Sequence, residues 1–250
     1  MFMDGERRWW PWAPVLLAQG LYARLATTRL QPARDADGCV GDGARTVRLA
    51  GLGDSIIAGI GVGSQTEGLV GQVAAQVASR AGVKVHWRVF GQSGATCQAV
   101  LEGLLPAAVD FEPELVVLSL GVNDAIAGVK PSEFKQVLRA LVEALAGSAR
   151  RPSIVFGGIP PLGSFPALPW PLSQLLGQRA QALQEAAVQL TGFRGMKVVV
   201  FPARLQAAAF SVDRFHPGEQ GCGDWAGWVV NGMAHRLEEF AESALPLRQL

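Results

Sequence analysis

The residues that could do chemistry begin with a serine placed directly after an apolar run. Residues 47–52 are rich in Val and Leu, Gly51 and Gly53 permit a tight backbone path, and Asp54-Ser55 follows at once. This pattern predicts a buried strand whose end carries Ser55 to the carboxyl edge of a sheet, where open α/β folds build their sites. Asp and Ser are also favoured helix caps, so the motif alone leaves a capping role equally open.

A nucleophilic serine needs a histidine to take its proton and a carboxylate to orient that histidine. The chain has three histidines. For His86, inside a predicted strand, and His235, on the last predicted helix, a core or surface role is the simpler interpretation. His216 differs, because Asp213 precedes it by three residues in a loop before a predicted helix. This spacing lets Asp213 reach Nδ1 of His216 and leaves Nε2 for Ser55, although such a loop can also merely cap a helix.

An oxyanion formed at the serine needs hydrogen-bond donors, and two polar loops follow apolar predicted strands. Residues 91–96 contain Gly94, which could present a backbone N–H, and residues 121–124 contain Asn123, which could present its side-chain amide. Ordinary strand-to-helix turns use the same residue types, so a plain turn is the alternative for both loops.

Taken together, these blocks resemble the SGNH hydrolases, also called the GDSL esterase and lipase family. The resemblance covers residue 46 to the carboxyl terminus and rests on four blocks in order: Gly53-Asp54-Ser55, Gly94, Gly121-Val122-Asn123-Asp124 and Asp213-x-x-His216. It implies that Ser55 is the nucleophile, His216 the general base and Asp213 its orienting acid. It also implies an oxyanion hole made by the N–H groups of Ser55 and Gly94 and the side chain of Asn123, with supporting roles for Asp54 and Asp124.

Two positions depart from the family pattern, and competing motifs fail on spacing. Ile56 replaces the leucine of the family name, and Arg214 stands where glycine is common. Arg214 would lower the pKa of the neighbouring histidine if it pointed at the site and would do nothing if it pointed to solvent.

The dinucleotide and phosphate-loop fingerprints are absent, and a nucleophile elbow around Ser93 would need glycine at Ala95.

The chemistry predicted is the hydrolysis of carboxylic acyl esters with short to medium acyl or aryl groups, without a metal or an organic cofactor. A proline-rich apolar loop over residues 157–176 could line an acyl or aryl pocket, or it could simply pack on the core. The candidate pocket residues are Pro160, Phe165, Leu168, Trp170 and Arg214. Thioesterase, lysophospholipase and carbohydrate acetylesterase activities are the alternatives on the same site, and a non-catalytic binding protein is the alternative of a different class.

Alternating apolar runs and helical stripes predict the fold. Five strands are expected, near residues 47–52, 83–90, 115–120, 153–156 and 197–201. Helical spacing over residues 69–77, 134–145, 176–190 and 217–240 places helices between and after them. Strands separated by helices give a mostly parallel sheet with helices on both faces, and the family resemblance implies the flavodoxin-like three-layer α/β/α arrangement.

Composition limits the partners. The formal net charge is +1 with 17% charged residues, so bulk electrostatics indicate neither nucleic acid nor an anionic membrane as a partner and favour a small-molecule ester. Cys39, Cys97 and Cys222 are widely spaced and odd in number, which argues against a disulfide framework and against a zinc site.

The amino-terminal residues 1–45 are predicted to be an apolar segment and a linker, ahead of a hydrolase domain over residues 46–250. An apolar run over residues 9–23 follows Arg7-Arg8 and is too short for a bilayer span. We expect it to pack on the domain or touch a membrane surface, which favours a cytoplasmic or membrane-associated protein, and a cleaved export signal is the alternative.

Overall fold

Six strands form one mixed sheet in the computed structural model, which describes residues 8–26 and 28–244. The first seven residues of the predicted amino-terminal segment and the last six of the predicted domain lie outside the described residues. The strands are β1 (Asp37–Val40), β2 (Thr46–Gly53), β3 (Lys84–Gly91), β4 (Leu115–Ser119), β5 (Ser153–Phe156) and β6 (Lys197–Val198).

Nine α-helices in the same described ranges accompany the sheet. They are α1 (Ala13–Ala26), α2 (Leu69–Ala81), α3 (Cys97–Gly103), α4 (Leu105–Asp110), α5 (Val122–Ala127), α6 (Pro131–Ala146), α7 (Leu172–Val188), α8 (Glu219–Gly232) and α9 (Ala234–Ala244). Short 3₁₀ turns lie at Trp10–Trp12, Leu162–Ser164, Phe193–Gly195 and Ala207–Ala209.

The strand order is β1-β3-β2-β4-β5-β6, with β1 antiparallel to β3 and the other neighbouring pairs parallel. The predicted mostly parallel sheet between helices is confirmed, with one strand more than the five expected. After β2 the chain pairs β3 on one side and then crosses to β4 on the other. The order therefore reverses at β2, and open α/β sheets bind their ligands outside the strand ends at such a reversal.

The additional strand lies within residues 1–45, after the apolar run, where a linker was expected. β1 pairs with β3 in the register Asp37 to Arg88 and Val40 to Val85. None of its four residues is fully buried, because it is the edge strand of the sheet. An edge strand needs little apolar alternation, so the sequence pattern there was indistinguishable from a loop. The division of the chain at residue 45 stays a prediction.

The two faces of the sheet bury separate cores, since successive side chains of a strand point to opposite faces. Leu49 of β2 packs with residues of α2, α8 and α9, whereas Leu52 packs on the other face with residues of α3, α6 and α7. Both leucines are fully buried, and each such burial contributes roughly 1.5–3 kcal/mol. The predicted helical stripes at residues 69–77, 134–145 and 176–190 lie on α2, α6 and α7.

The last predicted helix is two helices in the structure. The pattern over residues 217–240 predicts one helix, but the structure has α8 and α9 with a break at Met233, whose backbone leaves helical geometry. Asn231-Gly232 at the break are poor helix formers. Pro217, the first residue of the predicted range, lies before the helix and forms an isolated bridge with Phe210.

We predict that Gly53→Ala lowers the stability of the fold. A Cβ at residue 53 would lie 2.0 Å from the carbonyl oxygen of Ser119, and neither β2 nor β4 can move aside within the packed sheet. The free energy of unfolding should fall by about 3 kcal/mol, measured by urea denaturation. Gly103→Ala, at the end of α3 with no atom within 4 Å of the new Cβ, is the matched control and should not destabilise the protein. Equal stability of the two variants would contradict the steric argument.

Candidate active site

Ser55 lies in a turn immediately after β2. The amide of Asp54 donates to the carbonyl of Ser119 on β4 at 3.1 Å, and the amide of Gln92, after β3, donates to the carbonyl of Gly53 at 3.1 Å. Within the turn, the amide of Ile60 donates to the Ser55 carbonyl at 2.9 Å. The next helix, α2, begins only at Leu69, so neither Asp54 nor Ser55 caps a helix. The strand ends on both sides of β2 therefore fix the position of the serine.

The structure brings Ser55, His216 and Asp213 into one hydrogen-bonded row. Nε2 of His216 lies 3.0 Å from Oγ of Ser55, although 161 residues separate them in the chain. Nδ1 of the same ring lies 2.6 Å from Oδ2 of Asp213. An ionised carboxylate only accepts hydrogen bonds, so Nδ1 carries the proton and Nε2 is left to accept from the serine hydroxyl.

Asp213 is fixed by more than the imidazole. Its Oδ1 accepts hydrogen bonds from Oγ of Ser211 at 2.8 Å and from the amides of Phe215 and His216 at 2.9 Å each. Burial alone would raise the pKa of Asp213, but these bonds and the His216 side chain outweigh it and lower the pKa to about 2. The carboxylate is thus ionised at neutral pH, as an orienting acid requires.

The loops predicted to carry oxyanion donors flank the Ser55 turn. β3 and β4 are the two neighbours of β2, with Gly53 in register with Gly91 on one side and Ser119 on the other. Gly94 follows β3 with a positive φ of 81°, a conformation that glycine adopts without steric cost. Asn123 lies in the first turn of α5, after β4, and its Nδ2 donates to the carbonyl of Ala95 at 3.0 Å. That bond holds the Asn123 side chain beside the Gly94 loop and leaves its second amide hydrogen for another acceptor.

Two buried carboxyl groups support these turns. Oδ1 of Asp54 accepts from the amide of Ile56 at 3.0 Å, and both carboxylate oxygens of Asp124 accept from the amide of Cys97, at 3.1 Å each. Burial raises the pKa of Asp54 to about 7, and the charge of Asp124 adds to the effect. Burial likewise raises the pKa of Asp124 to about 6. Asp124 connects the helix of Asn123 with the helix that follows the Gly94 loop.

The side chain of Arg214 points to solvent, which is the second of the two orientations considered for it. Its side chain is exposed, and its φ of 60° lies in the left-handed region, which costs a side-chain-bearing residue about 1 kcal/mol or more. The glycine that is common at this position in the family fits that backbone better. Of the two other histidines, His86 is half-buried against the ring of Phe111, and His235 is exposed beside Glu239.

A cavity of about 460 Å³ opens beside Ser55. Two of the predicted pocket residues, Pro160 and Phe165, line it, whereas Leu168, Trp170 and Arg214 do not. Trp170 instead packs edge-on against Trp12, with ring centroids 5.2 Å apart. These three residues lie outside the lining of this cavity, since the proline-rich loop continues after Phe165 towards α1, and their role in substrate binding stays a prediction.

Sequence reasoning missed most of the wall of this cavity. The wall is largely aromatic and apolar, with Arg204, Gln220 and Asp224 exposed among its lining. Trp225 and Trp228 lie on the helix after His216, and that position could have suggested them as cavity residues. Helical spacing alone predicts only that they face the core. The segment 201–210 has no regular secondary structure longer than one turn, so no periodic signal marked it. The missed apolar residues are Phe201, Leu205, Phe210, Phe215, Trp225 and Trp228.

Over the parts of the chain that the structure describes, no group of three or more His, Cys, Asp or Glu side chains is arranged to hold a metal ion. Cys39, Cys97 and Cys222 are free thiols, the first exposed and the other two buried. Burial raises the pKa of Cys222 to about 12, so this thiol stays protonated at neutral pH.

Comparison with known proteins identifies relatives of both sequence and fold. A model described as the GDSL-like Lipase/Acylhydrolase family matches residues 52–222. The GDSL-like esterase Rv1075c of Mycobacterium tuberculosis is 32% identical over 185 residues, covering 68% of this chain and 56% of that protein. This chain thus spans about half the length of that relative.

Among solved structures, the lipase Lip_vut3 from a goat rumen metagenome superposes with a TM-score of 0.61 at 18% identity, over 76% of this chain and 99% of that one. The family 3 carbohydrate esterase of Clostridium thermocellum gives 0.59 at 16% identity, over 79% and 100% of the two chains. At these identities the structural likeness shows a shared fold alone.

We predict that Asp54 makes the stability of the protein depend on pH near neutrality. Its pKa in the folded protein, about 7, lies above its ordinary value of 3.8. Folding therefore favours the protonated acid, and the stability it contributes is fully present below about pH 4 and is lost as the pH rises through 7. Stability measured by urea denaturation should fall by about 1 kcal/mol per pH unit over this range. Asp54→Asn should flatten that slope.

Asp124 has a raised pKa as well, so the flattening in Asp54→Asn will be partial. The control is Asp42→Asn, which neutralises an exposed carboxylate in a surface loop and should leave the slope unchanged. An identical slope in Asp54→Asn and the native protein would show that the buried acid does not titrate in this range. Only slopes are compared, so a uniform loss of stability in the variant does not affect the result.

Proposed function

Because the chain belongs to the GDSL-like lipase/acylhydrolase family, we propose that it is a serine esterase that hydrolyses carboxylic acyl esters. The observation that carries the proposal is the hydrogen-bonded row of Ser55, His216 and Asp213, at 3.0 and 2.6 Å, beside an apolar cavity. A hydroxyl, an imidazole and an ionised carboxylate in this order form the arrangement that acyl transfer through a serine requires.

The proposed reaction has two halves. Oγ of Ser55 attacks the ester carbonyl carbon while its proton moves to Nε2 of His216, and the negative charge of Asp213 stabilises the imidazolium that results. The tetrahedral intermediate collapses when the bond to the alcohol oxygen breaks, and the leaving alcohol takes the proton from His216. A water molecule then attacks the acyl-enzyme in the same way, which releases the carboxylic acid and returns the proton to Ser55.

The negative charge on the carbonyl oxygen needs donors during both halves. We assign this role to the N–H groups of Ser55 and Gly94 and to Nδ2 of Asn123. Support comes from the positions of the three residues, each just beyond the end of one of three adjacent strands, β2, β3 and β4. The hydrogen bond from Asn123 to Ala95 holds its amide in place before substrate arrives, and such preorganisation is what makes oxyanion donors effective. Asp54 and Asp124 support the donors through the backbone of these turns.

The lining of the cavity supports esters with short to medium acyl chains or aryl groups. Phe165, Phe210, Phe215 and Trp225 offer apolar surface for an acyl chain or a ring, and about 460 Å³ is within the usual range for small-molecule pockets. The ring of Phe165 contacts those of Phe210 and Phe215 edge-on, with ring centroids 5.0 and 5.2 Å apart. These contacts give that side of the cavity a fixed shape. The charged residues of the lining are exposed, so they can meet solvent while the acyl group is buried.

We predict that Ser55→Ala abolishes esterase activity and labelling by a fluorophosphonate probe, because both need the Oγ nucleophile. Activity on p-nitrophenyl butanoate should fall by at least about a thousandfold. Ser132→Ala, an exposed serine at the start of α6, is the matched control and should keep both signals. Full activity in Ser55→Ala would sink the mechanism, and a native protein that neither reacts with the probe nor hydrolyses any ester would support a binding role on this fold.

We predict that Trp228→Ala shifts the acyl-length preference towards longer chains, because removing this ring enlarges the cavity. In a p-nitrophenyl ester series, the native protein should hydrolyse esters in the range from butanoate to octanoate faster than longer ones. In the variant, the ratio of kcat/KM for decanoate over butanoate should rise about tenfold. Trp170→Ala is the control, since Trp170 does not line the cavity and its removal should leave the ratio unchanged. Hydrolysis confined to thioesters, lysophospholipids or acetylated sugars would replace the proposed substrate class with that one.

A further inference from the structure

Helix α1 exposes its apolar side chains to solvent, the reverse of what a helix packed on a protein in water normally does. Leu17, Leu25 and Leu21 are 77%, 72% and 59% exposed, and Tyr22 is 63% exposed. Trp10, in the turn before the helix, is 76% exposed. Single exposed apolar residues are ordinary, but a contiguous group of this size on one element marks an interaction surface.

The side of α1 that carries Gln19 faces the protein, and this fixes the orientation of the helix. Nε2 of Gln19 donates to the carbonyl of Trp170 at 2.6 Å, and its Oε1 accepts from the amide of Leu172, at the start of α7, at 3.1 Å. Leu16 and Ala23, on the same side, pack partly buried against the core. Rotating the helix to bury Leu17 and Leu21 would break both Gln19 bonds.

Two tryptophans extend the exposed surface beyond the helix. Trp12 and Trp170 meet edge-on, and both are exposed, Trp170 to 63%. We define the α1 platform as the exposed apolar residues Trp10, Trp12, Leu17, Leu21, Tyr22, Leu25 and Trp170. It combines leucines with the aromatic residues Trp and Tyr, which favour the boundary between lipid headgroups and acyl chains.

The segment of the chain that contains α1 carries charge of one sign, over the residues between Glu6 and Asp35. Residues 8–34 contain four arginines and neither Asp nor Glu, while the chain as a whole is close to neutral. Arg24 lies three residues after Leu21 and seven after Leu17, hence on the same face of the helix. Arg8 and Arg29 are exposed at the two ends of the segment. Basic side chains beside exposed aromatic and aliphatic ones suit a surface of anionic lipid.

The length of α1 decides how it would meet a bilayer. Its 14 residues correspond to about 21 Å, whereas a spanning helix needs about 20 residues. Within residues 8–26 and 28–244, no helix is long and apolar enough to cross a membrane. A helix of this length lies in the plane of the interface with its apolar face in the headgroup region.

We propose that the α1 platform docks the protein onto an anionic membrane surface, with α1 parallel to the bilayer plane. A second copy of the chain fits the platform less well. Arg24 lies on the same face as the leucines, so a twofold contact between two platforms would cover it without an acidic partner from residues 8–34, and burying an unpaired charge opposes association.

The experiment measures binding of the full chain to lipid vesicles by flotation. Vesicles of phosphatidylglycerol and phosphatidylcholine in equal parts should carry the protein upwards at low salt. Binding should weaken in high salt or with phosphatidylcholine alone, because the electrostatic part is then lost. Arg24→Gln should weaken binding about fivefold, and the double variant Leu17→Glu with Leu21→Glu should weaken it by at least about tenfold.

The matched control is Val188→Glu, which places the same charge on an exposed apolar position at the far end of α7 and should bind vesicles as the native protein does. Activity on a water-soluble p-nitrophenyl ester should be unchanged in all these variants, which shows that they are folded. Two results would overturn the proposal. One is no flotation of the native protein with either lipid, and the other is a dimer in light scattering that Leu17→Glu with Leu21→Glu converts to monomer.

Discussion

The candidate site depends on how closely β2 and β4 approach where the sheet order reverses. At Gly53 the backbone passes so near the carbonyl of Ser119 that no side chain fits, and hydrogen bonds from Asp54 to Ser119 and from Gln92 to Gly53 tie the end of β2 to both neighbours. The turn that carries Ser55 therefore starts from a fixed point. Every other part of the site reaches that point from a strand end or from the loop that carries Asp213 and His216.

Two aspartates of the site show how the surroundings of a carboxyl group set its pKa. Asp213 is buried but receives four hydrogen bonds, three of them through Oδ1, and its pKa falls to about 2. Asp54 accepts hydrogen bonds only from backbone amides, chiefly that of Ile56, so burial dominates and its pKa rises to about 7. The first is suited to stabilise a positive imidazolium. The second serves its turn as a hydrogen-bond acceptor, a role that does not require a full charge.

The same proline-rich loop connects the two functional surfaces proposed for the protein. Near its start, Pro160 and Phe165 line the cavity beside Ser55. Near its end, Trp170 contacts Trp12 and receives the hydrogen bond from Gln19. An apolar substrate pocket and an exposed apolar helix are thus carried by neighbouring parts of one segment.

Local patterns in the sequence predicted most of the elements, the family and the candidate residues, and tertiary packing decided the distances between those residues and the walls of the cavity. Apolar runs predicted the buried strands. The family and the candidate residues followed from four short blocks, around Ser55, Gly94, Asn123 and His216, because residue type and spacing limit what a turn can do. The edge strand β1 gave no such signal, since a half-exposed strand needs no apolar alternation. The break at Met233 and the aromatic wall of the cavity also came only from the structure. Two features depend on which surfaces pack together: the contact of Ser55 with His216 across 161 residues and the exposure of the leucines of α1. The periodicity of one segment carries no information about the surface that it will meet.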